Sequence, residues 1–95
     1  RFFYFTTKAT KTYCDVSYRD GDYLVFGKET AGLPEELLFA NKDRCVRLPM
    51  IEGARSLNLS NTVAIGVYEA LRQNQFEGLK DQGALTRFSW SDAPC

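Results

Sequence analysis

Three short apolar runs constrain this chain more than any other feature: FFYFT at residues 2–6, YLVF at 23–26 and CVRL at 45–48. Aromatic and β-branched residues in runs this short suit the pleated surface of a sheet. The second run is apolar without a break, which fits a central parallel strand covered on both faces. Asp20-Gly21-Asp22 signals a turn ahead of it, Gly27 ends it, and Pro49 stops the third run. Between strands the pattern turns helical. Pro34 stands where a first helical N–H would lack a partner, and Glu35 and Glu36 complement the positive end of the helix dipole. That short helix is expected from 34 to about 41. A longer one is expected from Asn58 to about Gln75, with Leu59, Val63, Val67, Ala70 and Leu71 on one face and Asn61, Tyr68, Arg72 and Gln75 on another. It reads as buried on most sides. Residues 8–17 suggest a single helical turn, and the polar tail is expected to dock through Leu85, Phe88 and Trp90. Strands alternating with helices predict an α/β fold with a mostly parallel sheet and flanking helices.

Ninety-five residues suit one domain. Twelve basic residues balance twelve acidic ones, so there is no long-range field with which to collect nucleic acid, and such a partner needs a local patch. Histidine is absent, which removes Ser-His-Asp and Cys-His nucleophile pairs and HExxH zinc sites together. Cys14, Cys45 and Cys95 form no CxxC pair, so no metal site and no disulfide framework is expected, and the thiols read as reduced in a cytoplasmic protein. No apolar run reaches the length of a membrane span. Neither GxGxxG nor GxxxxGK[ST] occurs.

In an open parallel sheet, ligands bind in the crevice at the carboxyl ends of the strands. The loops at 6–8, 27–32 and 49–56 should therefore converge, with Gly27 and Gly32 letting backbone come close to a ligand. Asn58 and Ser60 are good N-cap residues. Capping does not account for Arg55, Ser56, Asn58, Ser60 and Asn61 together, and the surplus suggests a polar pocket at the start of the long helix.

YLVFGKETAGLPEELL, then CVRLPM, then RSLNLSNTVAIGVYEALRQ closely resembles the second and third motifs of the SPOUT class of RNA methyltransferases. The nearest branch is the small single-domain one that methylates the ribose 2′-hydroxyl of the tRNA wobble nucleotide, cytidine or uridine. FYFTTKA is similar to that branch's strand-TTK segment, and the resemblance runs from residue 3 to about 77. It implies an α/β trefoil-knot fold, S-adenosylmethionine held within the knot at about 22–75, a homodimer, and the tRNA anticodon stem-loop as partner. By resemblance, the cofactor contacts fall on Phe5, Gly27, Leu48, Ser56 and Asn58, mostly through backbone. Glu29 and Arg55 are the implied catalytic candidates, with a loop-organising role as the competing reading for each. Tyr68 matches a family tyrosine implicated in handling the tRNA; read from the residues alone, Lys8, Lys11, Arg55 and Arg72 could form an RNA-binding patch with it, with an ordinary solvated surface as the competing reading. Family members carry an upstream strand and an N-x-G-N-x-x-R motif that this sequence lacks, so residues 1–95 are expected to be the C-terminal portion of one such domain, with 76–95 as a tail. A knotted piece that folds and dimerises without chemistry, or one that binds cofactor or RNA without turnover, is the alternative.

Overall fold

The computed structural model describes residues 1–27, 32–51, 58–80 and 82–94. Among these, three parallel strands form one sheet: β1 (Phe2–Phe5), β2 (Tyr23–Phe26) and β3 (Cys45–Val46), in the order β2-β1-β3. Register places Phe5 opposite Phe26 on one side and Val46 on the other, so all three carboxyl ends lie together. The three strands fall where the apolar runs predict them, but the central one differs. β1 is flanked on both sides and has three buried residues, whereas β2 lies at the edge of the described sheet with Tyr23 63% exposed. An unbroken apolar run marks coverage by side chains, not the number of neighbouring strands.

β3 is two residues long because its ladder changes partner. Arg47 donates its N–H to Lys11 O (3.0 Å) and its carbonyl accepts from Tyr13 N (2.8 Å), forming a parallel bridge between Thr12 and Arg47. The connection from β1 to β2 thus reaches the outer edge of β3 before returning, by way of a single 3-10 turn at Tyr13–Asp15, to the opposite side of β1.

Side-chain alternation along β1 sorts the core into two layers. Phe3 and Phe5 join Tyr18, Val46 and Leu48 on one face, with Leu24, Phe26, Ile65 and Ala70 packed against them. Tyr4 joins Leu38 and Cys45 on the other, with Ala9, Val25 and Leu37. Helix α1 (Glu35–Ala40) supplies Leu38 to the second layer, and Pro34 is its N-cap, one position earlier than expected. Helix α2 (Leu59–Gln73) supplies Ile65 and Ala70 to the first. Gly66 makes that packing possible, since a Cβ there would lie 3.0 Å from two atoms of the Phe5 ring.

α2 is not buried on most sides. Only Gly66 and Glu69 are buried, while Val67 is 38% and Tyr68 61% exposed. The dense apolar lettering of VAIGV therefore overstates its coverage within one chain. Two non-glycine residues in left-handed backbone, Gln75 (φ 61°) and Phe76 (φ 53°), end the helix. Docking of the tail is likewise not observed: Leu85, Phe88 and Trp90 are 40%, 69% and 62% exposed. The radius of gyration is 17.5 Å, against about 12 Å for a compact chain of this length. The expected knot rests on the path through 52–57, which lies outside the described residues.

Candidate functional site

The three strand ends anchor the site. Phe5 and Leu48 are buried, and the Phe5 ring stacks on Phe26 with centroids 4.6 Å apart. Adjacent parallel strands are about 4.8 Å apart, so Phe5, Phe26 and Val46 span only about 10 Å across the sheet. The geometry brings Phe5, Gly27 and Leu48 to one end of the sheet, as the strand-end argument expects.

Gly27 answers to its own loop. A Cβ there would lie 2.7 Å from Leu33 N and 2.8 Å from Gly32 C. The missing side chain lets the returning backbone close against the end of β2. Gly32 has φ 68°, a left-handed conformation that glycine takes without strain.

Asn58 caps α2. Its Oδ1 accepts from Ser60 N (2.8 Å) and Ser60 Oγ (2.5 Å), so this side-chain oxygen is engaged by the helix's own first turn. Capping thus explains Asn58 and Ser60. Glu29, Arg55 and Ser56 lie outside the described residues.

Lys8 and Tyr68 are separated by the sheet. Lys8 Nζ donates to Glu35 Oε2 (2.6 Å) on α1, and this hydrogen bond with the lysine's charge holds the Glu35 carboxyl below its ordinary value. Lys11 Nζ donates to Asp43 O (3.1 Å). Tyr68 and Arg72 project from α2, across the opposite layer. Among the described residues, Lys8 is engaged by Glu35 on α1, Arg72 lies one turn from Tyr68 on α2, and Arg55 falls outside them.

A groove that sequence reasoning missed runs between the turn after β1 and α1. It is an open groove of about 900 Å³, lined by Thr6, Lys8, Thr10, Glu35, Phe39, Lys42 and Cys45, among others. The single Cys45 S–H lies within reach of both Leu38 O and Asn41 O, and burial raises the thiol's pKa, which disfavours the reactive thiolate. No three His, Cys, Asp or Glu side chains come together as metal ligands among the described residues. No described helix is long and apolar enough to cross a membrane.

Comparison with known proteins follows the same geometry. A tRNA (cytidine(34)-2′-O)-methyltransferase from Burkholderia cenocepacia is 56% identical over 80 residues, covering 82% of this chain and 51% of the relative. A solved structure described as giving insight into 2-OH methylation of C/U34 on tRNA matches with TM-score 0.72 and 39% identity, over 81% of this chain and 49% of that one. An AdoMet-bound rRNA methyltransferase from Sinorhizobium meliloti matches with TM-score 0.65 and 30% identity, over 75% and 27%. The fold is thus the α/β fold of SPOUT proteins. The chain spans about half the length of the curated relatives it matches. Residues 1–68, which hold all three strands and the first two-thirds of α2, match the model of the SpoU rRNA Methylase family, and the chain belongs to that family.

Proposed function

We propose that this chain is the cofactor-binding portion of an S-adenosylmethionine-dependent methyltransferase that acts on the ribose 2′-hydroxyl of the tRNA wobble nucleotide, cytidine or uridine 34. The observation that carries the reading is the register of three parallel strand ends at Phe5, Phe26 and Val46, with Gly66 of α2 packed against Phe5 and Phe26. Relatives named for this reaction support it.

The residues present fit the cofactor. Closure of backbone 32–33 against Gly27, which any Cβ would obstruct, is the tight, side-chain-free turn that a nucleoside cradle needs. Backbone at Phe5, Gly27 and Leu48 would hold the adenosyl moiety, with Ser56 and Asn58 closing the pocket. When bound, S-adenosylmethionine supplies a methyl group on a sulfonium, so the difficult electrophile belongs to the cofactor. The chain's own work is then orientation, which can supply about 7–11 kcal/mol, whereas a positioned base supplies about a hundredfold to ten-thousandfold. With no histidine to act as base, orientation dominates. Arg55 would contact phosphate or close the cofactor loop, and Glu29 would organise the loop or accept the proton.

The same reading includes a trefoil knot around 22–75, a homodimer and a cytoplasmic location. The test is methyl transfer from labelled S-adenosylmethionine to unmodified tRNA, by this chain and by one extended upstream. Label at the ribose of nucleotide 34 is the expected result. Label elsewhere, or none from either protein, overturns the reading.

A further inference from the structure

The groove beside α1 takes no part in the cofactor reading, yet it opens from the same strand end. Thr6 follows Phe5 directly and its N–H donates to Val46 O (2.9 Å), so the first lining residue sits one position beyond the converging strands. The chain then turns sharply: Thr6 Oγ1 accepts from Lys8 N (3.2 Å) and Thr6 O accepts from Ala9 N (3.3 Å). That turn forms one wall of the groove, and α1 with the 3-10 turn Lys42–Arg44 forms the other. Leu38 goes from this second wall into the core, whereas Phe39 beside it is 89% exposed at the groove.

Two features point to a nucleic-acid strand as its occupant. The first is charge. The whole chain is balanced, but residues 6–12 and 35–47, which build and flank the groove, hold five basic residues against three acidic ones. Lys11 and Arg47 donate to the backbone carbonyls of Asp43 (3.1 Å) and Thr7 (3.0 Å), and among the described residues neither is paired with a carboxylate. Lys8 Nζ lies 2.6 Å from Glu35 Oε2, so the carboxylate nearest the turn is already neutralised. The second feature is the Phe39 ring, held in water three residues from Lys42. An exposed aromatic face beside cations grips a single strand by stacking on a base while the cations meet the backbone. An apolar protein surface would match the ring but would strip water from the lysines without compensation.

We propose that this groove holds the substrate RNA strand next to the nucleotide being methylated: Phe39 stacks on a base, Lys42 meets a phosphate, and Lys8 neutralises Glu35, which would otherwise repel the strand. This rests on the RNA-methyltransferase reading and adds to it a binding surface on the α1 side of the sheet, away from α2.

The experiment is fluorescence anisotropy with an unmodified anticodon stem-loop RNA over a salt series, with each variant's fold checked by circular dichroism and its association state by sedimentation. Phe39→Ala, at an exposed position, is expected to weaken binding about fivefold or more with the slope of log K against log salt unchanged. Lys42→Gln should weaken binding and lower that slope by about 0.7, one phosphate contact on a single strand. Lys8→Gln is the discriminating variant. It should weaken binding by uncovering Glu35, and adding Glu35→Gln to it should restore most of the loss. A double variant as weak as Lys8→Gln alone, or unchanged affinity in folded Phe39→Ala and Lys42→Gln, overturns the inference while leaving the RNA reading intact. So does a Phe39→Ala variant that changes sedimentation and not RNA affinity, since the ring then serves a protein contact. Absence of salt-dependent RNA binding by the unsubstituted chain overturns both.

Discussion

Two glycines carry most of the close packing around the strand ends, for different reasons. At Gly66 the neighbours are the Phe5 and Phe26 rings, at 3.0 and 3.2 Å from a would-be Cβ. Gly66→Val adds volume against a stacked aromatic pair, and overpacking of this kind costs about 1–3 kcal/mol. Urea denaturation should show that loss as a lower midpoint with little change in slope. At Gly27 the neighbours are backbone atoms, which cannot rotate away. The sequence motif flagged Gly27 but could not say which atoms approach it, because that depends on where the chain returns five residues later. Gly66 could have been found from the sequence, since a glycine inside a helix sacrifices about 1 kcal/mol of propensity and needs a packing reason.

Among the elements, α2 was the most legible at its start and the least legible along its faces. Its cap is confirmed by the Asn58–Ser60 hydrogen bonds. Asn58→Ala should destabilise the protein by about 1 kcal/mol, read by thermal melting, whereas Asn58→Asp should change it little, because Asp accepts the same N–H. The third strand was placed correctly but drawn too long: the partner exchange at Arg47 is a long-range pairing with Lys11 and Tyr13 that no local pattern announces. Glu69 was missed as well. One glutamate in VYEALRQ looks like surface until the crossing segment at Val16 and Tyr18 is seen to cover it.

For the whole molecule, the main correction concerns the tail, where three large apolar side chains suggested docking and none is buried. Trp90 is the single tryptophan, so its emission reports the tail alone. That emission should already lie at the wavelength of a solvated indole and shift little on full unfolding; a pronounced red shift would mean the tail is packed. Acid should act on the body instead. The Arg1 guanidinium, hydrogen-bonded to Asp22 at 3.1 and 2.8 Å, holds its carboxyl well below the usual carboxylate range. Arg72 lowers Glu69 in the same direction. A depressed folded-state pKa means stabilisation that is present above the unfolded value of about 4 and is lost as pH falls toward the folded one. Stability should thus be level from about pH 7 to 5 and decline below about 4, and Asp22→Asn should start lower at pH 7 and lose less on acidification. Fold class and the convergence of strand ends were readable because parallel strands fix both. The sharing of α2's surface between core and solvent was not, since it depends on tertiary contacts beyond the helix.

All of this turns on whether the strand-end loops hold an adenosyl ligand, and calorimetric titration with S-adenosylhomocysteine measures that most directly. The account predicts saturable heat with one site per chain, abolished by Gly27→Val while the helical circular dichroism signal is kept, because the added side chain displaces backbone 32–33 from the end of β2. No heat up to millimolar ligand, or normal binding by Gly27→Val, would contradict it.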